Sequence, residues 1–389
     1  MSVAFIKKED LNRAVEITAY CFPYLSNQID MVNDYFSKSI AKKEAIGYYE
    51  DGILMSTLLV SPIELYIQGS PVKAGGISFV ASMPEARRGG KVGSLLIEMF
   101  NIMKERKLLL SIMGVFSYEF YRRYGYEIGY DNLKYTIPIE NLKAFKTSLK
   151  IKAYDKIYLK DMLKLYEVFA KGHNGSGARD VAIWEELIIK DMWDSSKLYT
   201  YLCENNNEIK GYIIYSINDG KMNIVEIIYE GREALEALLT FIYSHQAQIR
   251  EVILNSCLND MVQYILPNPR VKREISSGMM FRVVDVASSL MALHFPKDLK
   301  GEIKIKINDS KAFFNASPLQ LILEDGILRV SNCNSYDVEC DIQSFSQIYI
   351  GYLSVDEAYN QGNLICNLCN LKELNKFFKK SVTYCYNNF

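Results

Sequence analysis

Residues 77–96 read ISFVASMPEARRGGKVGSLL, and they combine three local patterns in a fixed order. The apolar run at residues 77–81 is typical of a buried strand. The run breaks at Met83-Pro84 and passes into a turn rich in arginine and glycine. Beyond the turn, apolar residues recur at helical spacing, which predicts an amphipathic helix. The stretch therefore predicts a strand, a loop and a helix in succession.

The turn between this strand and helix has the composition of an anion site. Gly89 and Gly90 allow backbone N–H groups to approach an anion closely, and the following helix places its positive end there. Arg87, Arg88 and Lys91 add cations. The loop contains neither GxxxxGK[ST] nor GxGxxG, which disfavours the usual nucleoside triphosphate and dinucleotide loops. A pyrophosphate fits this chemistry, and an exposed Arg-Gly turn is the alternative.

A second motif, FYRRYGY, occupies residues 120–126. Its Tyr121 follows Gly90 by 31 residues, which leaves room for one helix and one further strand. The alternative interpretation is an aromatic cluster that packs against a sheet, because runs of aromatic residues usually lie in a core.

The composition is that of a globular chain, with 389 residues, 49% hydrophobic and 23% charged. This length predicts two or three domains. A net charge of −1 gives no bulk attraction to nucleic acid or to an anionic membrane, so we expect neither as a partner. We find no signal peptide and no uncharged apolar run approaching about 18 residues, and we therefore expect a cytoplasmic protein.

The eight cysteines are scattered along the chain. A CxxC occurs at residues 366–369, but no second CxxC and no nearby histidine complete a set of metal ligands. We expect reduced thiols and no metal site.

The chain divides into three regions. Residues 1–145 predict helices, a strand meander, the strand-loop-helix unit and a closing strand at 132–137. Residues 146–280 repeat this plan, but Tyr-Glu-Gly-Arg at 229–232 puts an acid where the first copy has cations, so we expect this copy to be structural. The loop at 173–177 is expected at the surface. Residues 281–389 predict short antiparallel strands, including 313–315, followed by helices around an apolar interior.

Two motifs resemble signatures of the GNAT superfamily of N-acetyltransferases, which bind acetyl-coenzyme A. Residues 87–92 are similar to R/Q-x-x-G-x-G/A, with Val92 departing from the usual Gly or Ala, and residues 120–126 are similar to F-Y-x-x-x-G-F/Y. Together with a second copy lacking the loop and an RVVDV entry at 282–286 into a sterol-carrier-like region, the chain resembles the Eis (enhanced intracellular survival) family. The resemblance implies an α+β protein. Tandem GNAT folds, each a mixed sheet with flanking helices, would be followed by a sterol-carrier-like α+β domain, with boundaries at 1–145, 146–280 and 281–389.

The resemblance also implies roles for individual residues. Tyr121 would lie beside the thioester sulfur, and the terminal carboxylate of Phe389 would act as general base. Phe22 and Tyr24 would line the acceptor side, with burial in the core as the alternative. Asn388 lacks the acid found there in some members, which weighs against a preference for aminoglycosides. The predicted cofactor contacts are Phe79, Val80, Ser82, Arg87, Arg88, Gly90 and Lys91.

The activity implied is transfer of the acetyl group of acetyl-CoA to primary amines of a small polyamine-like acceptor, aminoglycosides among them. Direct attack would need no metal and no covalent enzyme intermediate. The resemblance further implies a homo-oligomer, specifically a hexamer. Two alternatives stay open: acetylation of protein lysines or N-termini, and a non-enzymatic protein whose third domain binds an apolar ligand or partner.

Overall fold

The computed structural model describes residues 2–87, 89–184 and 197–386. These residues form two compact units. The first contains residues 2–129 and 279–381, and the second contains residues 130–278 and 382–386. Within the described ranges, every helix is too short or too polar to cross a lipid bilayer.

The first unit contains a seven-stranded mixed sheet in the order β1-β2-β3-β4-β5-β14-β6. Its strands are β1 (Ser2–Phe5), β2 (Ala45–Glu50), β3 (Ile53–Ile67), β4 (Ser70–Ser82), β5 (Leu110–Met113), β6 (Glu127–Ile128) and β14 (Met280–Val283). Its helices are α1 (Leu11–Cys21), α2 (Ile29–Ala41), α3 (Lys91–Glu105) and α4 (Tyr118–Arg122). The strand, loop and helix expected at 77–96 are confirmed as β4, a turn and α3. The apolar face of α3, including Leu95, Leu96 and Met99, is fully buried in the core of this sheet.

Strands β4 and β5 run parallel and then separate. Their pairing ends at Ile77–Met113, where β5 stops, while β4 continues to Ser82 paired only with β3. A bulge interrupts the β3–β4 register between Ser78 and Ala81. The two strands therefore form a fork whose β4 arm has a free edge.

The second unit has its own seven-stranded sheet, in the order β13-β7-β12-β11-β10-β9-β8. Its strands are β7 (Asp131–Pro138), β8 (Lys150–Ala153), β9 (Tyr199–Asn205), β10 (Glu208–Asn218), β11 (Lys221–Tyr229), β12 (Glu251–Ser256) and β13 (Lys272–Ser277). Its helices include α5 (Leu159–Lys171), α6 (Gly231–Tyr243) and α7 (Val262–Ile265).

The strand at 132–137 was expected to close the first region, but it pairs in the second sheet with β12 and β13. Strand β14 takes the corresponding place between β5 and β6. The alternation of apolar residues defines the two faces of a strand and not its neighbours, so this exchange has no signal in the local pattern.

The first unit also contains a five-stranded sheet, in the order β17-β16-β15-β18-β19. Its elements are β15 (Gly301–Asn308), β16 (Leu319–Glu324), β17 (Ile327–Asn332), β18 (Val338–Asp341), β19 (Leu364–Ile365), α8 (Val286–Met291), α9 (Ile342–Ile350), α10 (Val355–Asn360) and α11 (Leu368–Leu374). Two details differ from the expectation. Residues 313–315 form a 3-10 turn and not a strand, and β15 pairs with β18 in parallel. Short apolar runs do not distinguish a strand from a buried turn, which explains the first difference.

Candidate active site

The free edge of β4 presents backbone hydrogen-bonding groups. Met83 N donates to Met55 O in β3 at 3.1 Å. Because residues on an antiparallel strand face alternate edges, Ala81 also faces β3, and the N–H and C=O of Val80 and Ser82 face the open side. A ligand that adds to this edge would meet both backbone groups of Val80 and the N–H of Ser82. The Ser82 carbonyl already accepts hydrogen bonds from Cys21 Sγ and Arg87 Nε, each at 3.3 Å.

Phe79 sits at the bulge in a left-handed backbone conformation, with φ of 47°. Thr57 Oγ1 donates a hydrogen bond to Phe79 O at 3.1 Å and holds this geometry. A non-glycine residue in this region is strained, and such strain persists only where the surroundings impose it. At the bulge, the backbone of β4 continues along the strand while the Phe79 ring packs elsewhere, in the aromatic cluster described below.

The N-terminus of α3 supplies the anion-binding geometry. Gly90 is its N-cap with φ of 72°, and among the described residues no side chain caps this end. A Cβ at Gly90 would meet no described atom within 4 Å, so the described residues leave open space next to the first N–H groups of the helix. A Cβ at Gly93 would collide with the Tyr124 hydroxyl, which lies against the first turn. The uncapped N–H groups form a positive site with room for a phosphate.

The Lys91 ammonium forms an ion pair with the Glu50 carboxylate and lies 5.8 Å from the centre of the Tyr48 ring. The side chains of Lys91 and Glu50 are 11% and 28% exposed. This pair reduces the contribution of Lys91 to the local positive potential, which leaves the helix N-terminus and the loop arginines to attract an anion.

Arg87 lies toward the end of α1. Its Nε donates to Ser82 O at 3.3 Å, and its guanidinium lies 5.7 Å from the centre of the Tyr20 ring. Arg88 and Phe389, two further predicted site residues, lie outside the described residues.

Tyr121 lies on α4, which follows β5. Ser117 Oγ accepts a hydrogen bond from Phe120 N and caps the helix at its start. Tyr121 is 1% exposed and belongs to the same hydrophobic cluster as Ile77 and Met113, the last paired residues of the fork. Burial, with a smaller contribution from Tyr126, raises the pKa of the Tyr121 phenol above its usual range. The phenol therefore keeps its proton at neutral pH.

The Phe79 ring joins an aromatic cluster contributed by the segment from α1 to α2. Its centroid lies 6.2 Å from that of Phe22 and 5.7 Å from that of Phe36. The Phe22 ring in turn contacts Tyr24, with centroids 6.0 Å apart, and Tyr24 is 57% exposed. The structure thus brings Phe22, Tyr24 and Phe79 together, with Tyr24 facing solvent. Tyr35, whose ring lies 6.1 Å from that of Phe79, was not among the predicted site residues.

Comparison with protein families identifies three segments of the chain. The model described as an acetyltransferase (GNAT) domain matches residues 2–129, and another model of the same description matches residues 175–283. A sterol carrier protein domain matches residues 286–386. The chain is a GNAT acyltransferase. A search of curated proteins found no match.

Solved structures share the whole architecture of the acyltransferase. A GCN5-related N-acetyltransferase from Anabaena variabilis aligns over 100% of both chains, with a TM-score of 0.87 and 21% identity. A protein of unknown function from Enterococcus faecalis, titled a probable N-acyltransferase, covers 100% of this chain and 99% of its own, with a TM-score of 0.89 and 24% identity. Eis1 from Mycobacterium abscessus covers 100% of both chains, with a TM-score of 0.79 and 18% identity. The acyltransferase therefore has an Eis-like fold, and the predicted fold class is confirmed.

The sterol-carrier-like domain of the acyltransferase contains a small apolar cavity among its described residues. This cavity of about 10 Å³ lies in its interior, lined by apolar side chains that include Ile305, Phe345 and Phe378. That volume accommodates a water molecule at most. The apolar-ligand alternative finds no support in this cavity.

Proposed function

We propose that this acyltransferase moves the acetyl group of acetyl-CoA to a primary amine of a small polyamine-like acceptor, with aminoglycosides among the candidates. The observation that carries the proposal is the fork between β4 and β5, with an uncapped helix N-terminus after one arm and Tyr121 after the other. Residues 1–145 would hold the catalytic domain, residues 146–280 a structural copy, and residues 281–389 the third domain with the terminal carboxylate.

The residues of the fork fit acetyl-CoA. The outward N–H and C=O groups of Val80 and the N–H of Ser82 match the amide groups of a pantetheine arm, and the open space at Gly90 fits a pyrophosphate. Arg87, Arg88 and Lys91 remain proposed phosphate contacts, with Lys91 the weakest because Glu50 neutralises it. When bound, acetyl-CoA supplies an acetyl group activated as a thioester. Backbone N–H groups around Phe79 and Val80 would hold the carbonyl oxygen as negative charge develops.

Tyr121 is proposed as the proton donor. Its raised pKa keeps Oη protonated at neutral pH, and a thiol has a pKa of roughly 8.5. Oη would therefore stabilise the departing sulfur chiefly by donating a hydrogen bond, because the raised pKa of the phenol makes complete transfer of its proton to the thiolate less favourable.

An acceptor ammonium must lose a proton before it attacks. Its pKa is roughly 10 and that of a terminal carboxylate roughly 3.5, so direct transfer in water is uphill by about six units. Desolvation of both groups narrows this gap, or a water relay shares the proton. By resemblance, the Phe389 carboxylate is proposed as the base, with a second role in orienting the cationic acceptor.

The acceptor would lie next to the aromatic cluster of Phe22, Tyr24 and Phe79. Aromatic faces attract ammonium groups, so the cluster supports an amine acceptor. Acetylation of protein lysine or an N-terminus is the alternative substrate class within the same chemistry. The family resemblance further implies a homo-hexamer, and light scattering after gel filtration would test the subunit number.

The test is thiol release from acetyl-CoA with a panel of polyamines, aminoglycosides and lysine peptides. We expect amine-dependent turnover in the native chain and a fall of roughly a hundredfold or more in Tyr121→Phe, with coenzyme A affinity unchanged. Tyr118→Phe on the same helix is the matched control and should retain turnover. Equal turnover in Tyr121→Phe and the native chain would exclude Tyr121 as proton donor, and absence of turnover with every amine would reject the proposed acceptor class.

A further inference from the structure

The second unit contains a fork of the same design as the first. Strands β11 and β12 pair in parallel from Lys221–Glu251 to Ile224–Leu254, and β11 then continues to Tyr229. The β10–β11 register shifts at Val225, just past the last paired residue, as β4 does near Phe79. The internal repeat therefore extends to the feature that we propose as the coenzyme site in the first unit.

The chain's own C-terminal tail, residues 382–386, is docked on this unit. Asn174 N donates to Val382 O at 2.8 Å, and Tyr384 N donates to Asn174 O at 3.1 Å. Ser176 Oγ donates to Tyr384 O at 2.7 Å. Asn174 and Ser176 are 5% and 0% exposed, so the expectation of a surface loop at 173–177 is wrong. The loop is a buried binding segment for the tail.

The last ring of the tail reaches the open edge of β11. Tyr386 Oη donates to Ile227 O at 3.4 Å. Glu230 N donates to Lys210 O in β10 at 2.7 Å, so alternation along β11 turns the backbone groups of residue 227 away from β10. They face the side on which β12 has diverged. Tyr386 therefore occupies the edge that corresponds to Val80 and Ser82 in the first unit.

Aromatic packing strengthens the docking. Tyr384 is 2% exposed, and its ring centroid lies 5.6 Å from that of Tyr130. The Tyr386 centroid lies 5.4 Å from that of Phe169 on α5. One buried ring and one partly buried ring, together with four hydrogen bonds to backbone carbonyl groups, make a specific anchor.

The helix after β11 is unsuited to an anion. Its N-cap is Glu230, which forms an ion pair with Lys210 at 3.0 Å, and Glu233 lies in its first turn. Arg232 in the same turn is paired with Glu236. The carboxylates of Glu230 and Glu233 therefore disfavour a phosphate at the second fork.

We propose that the fork of the second GNAT domain is a receptor for the C-terminal tail, and that it fixes the position of the chain end. Three residues follow Tyr386, and a fully extended chain of that length spans only about 10 Å, so an anchored Tyr386 limits the region that the chain end can reach. The docking does not depend on the proposed function. Its consequence for turnover rests on the proposed role of the Phe389 carboxylate as the base. Ser176 and Tyr386 are thus positioning residues.

Hydrogen exchange on the full chain tests the docking. We expect slow exchange at Tyr384 in the native protein and exchange at least roughly tenfold faster in Ser176→Ala, because a buried carbonyl loses its donor. Tyr386→Phe removes one hydroxyl and should have a smaller effect in the same direction. Ser244→Ala, which removes an exposed hydroxyl bonded to Phe241 O, is the matched control and should leave the tail unchanged. Circular dichroism verifies that each variant is folded.

Kinetics on the same variants tests the consequence. Release of the tail should lower kcat while leaving coenzyme A affinity unchanged, with one coenzyme bound per chain. Exchange of the native tail at the rate of an unstructured peptide, or two coenzymes bound per chain, would overturn the docking. A released tail with unchanged kcat would overturn the positioning role. If the native chain acetylates no amine, the proposed function fails, and the exchange data still decide the docking.

Discussion

Replacing Arg282 with methionine should destabilise the first unit and slow catalysis together. The Arg282 side chain is fully buried, and its NH2 group donates to Asp309 Oδ2 at 2.6 Å. Its NH1 group donates to Tyr124 O at 2.8 Å, and its guanidinium lies 4.1 Å from the centre of the Phe100 ring. Tyr124 N donates to Tyr121 O at 2.9 Å, so Arg282 supports the segment that carries the proposed proton donor.

The magnitude follows from burial. Arg282→Met leaves the carboxylate of Asp309 buried without its cation, and breaking a buried pair this way costs about 3–5 kcal/mol. For a unit of this size, about 2–4 °C of melting temperature corresponds to each kcal/mol, so we expect a loss of roughly 6–20 °C. Arg282→Lys keeps a charge but cannot reach both acceptors, and it should lose about 1–3 kcal/mol.

Thermal melting and steady-state kinetics on the same samples measure both effects. Arg282→Met/Asp309→Leu should regain part of the melting temperature, because the uncompensated charge is gone, while kcat stays low because Tyr124 O still lacks its donor. Arg329→Met, at a side chain 66% exposed in the same unit, is the control and should change stability by less than about 0.5 kcal/mol. A melting temperature for Arg282→Met equal to that of the native chain would refute the reasoning.

Three further predictions concern single side chains. Glu50→Gln frees the Lys91 ammonium and should tighten coenzyme A binding roughly two- to fivefold at low salt, with the gain lost at high salt, as titration calorimetry would reveal. Phe79→Ala keeps the backbone of β4 but removes the ring from the aromatic cluster, so KM for the amine should rise roughly tenfold while KM for acetyl-CoA stays constant; an equal rise in both would contradict this division. Burial lowers the pKa of His173 from its usual 6.5, so the unfolded chain takes up a proton that the folded chain does not, and the second unit should lose stability as pH falls below 6.5. Urea denaturation in that range should give a weaker pH dependence for His173→Gln, and an unchanged slope would assign the effect to another group.

Local sequence patterns predicted those helices, strands and turns that depend on residues close together in the chain. The strand-turn-helix at residues 77–96 follows from a change of hydrophobic period, two glycines and a broken apolar run, and each acts within a few residues. Tyr121 was likewise predicted from a local motif. Its seven residues include the helix α4, and they follow β5 in the chain.

Tertiary structure decided which strands pair and which polar groups meet. Strand β7 joins the second sheet because its neighbours in space are β12 and β13, and its own alternation is compatible with either sheet. The pairing of Lys91 with Glu50 joins residues 41 positions apart, and that of Ser176 with Tyr384 joins residues 208 apart. The sequence by itself determined the fold class, through its resemblance to a known family, and also the repeat and the composition of the anion loop, because these last two depend on local spacing. Only the tertiary structure decided that the loop lysine is neutralised and that the second fork holds the C-terminal tail, because both depend on contacts between distant residues.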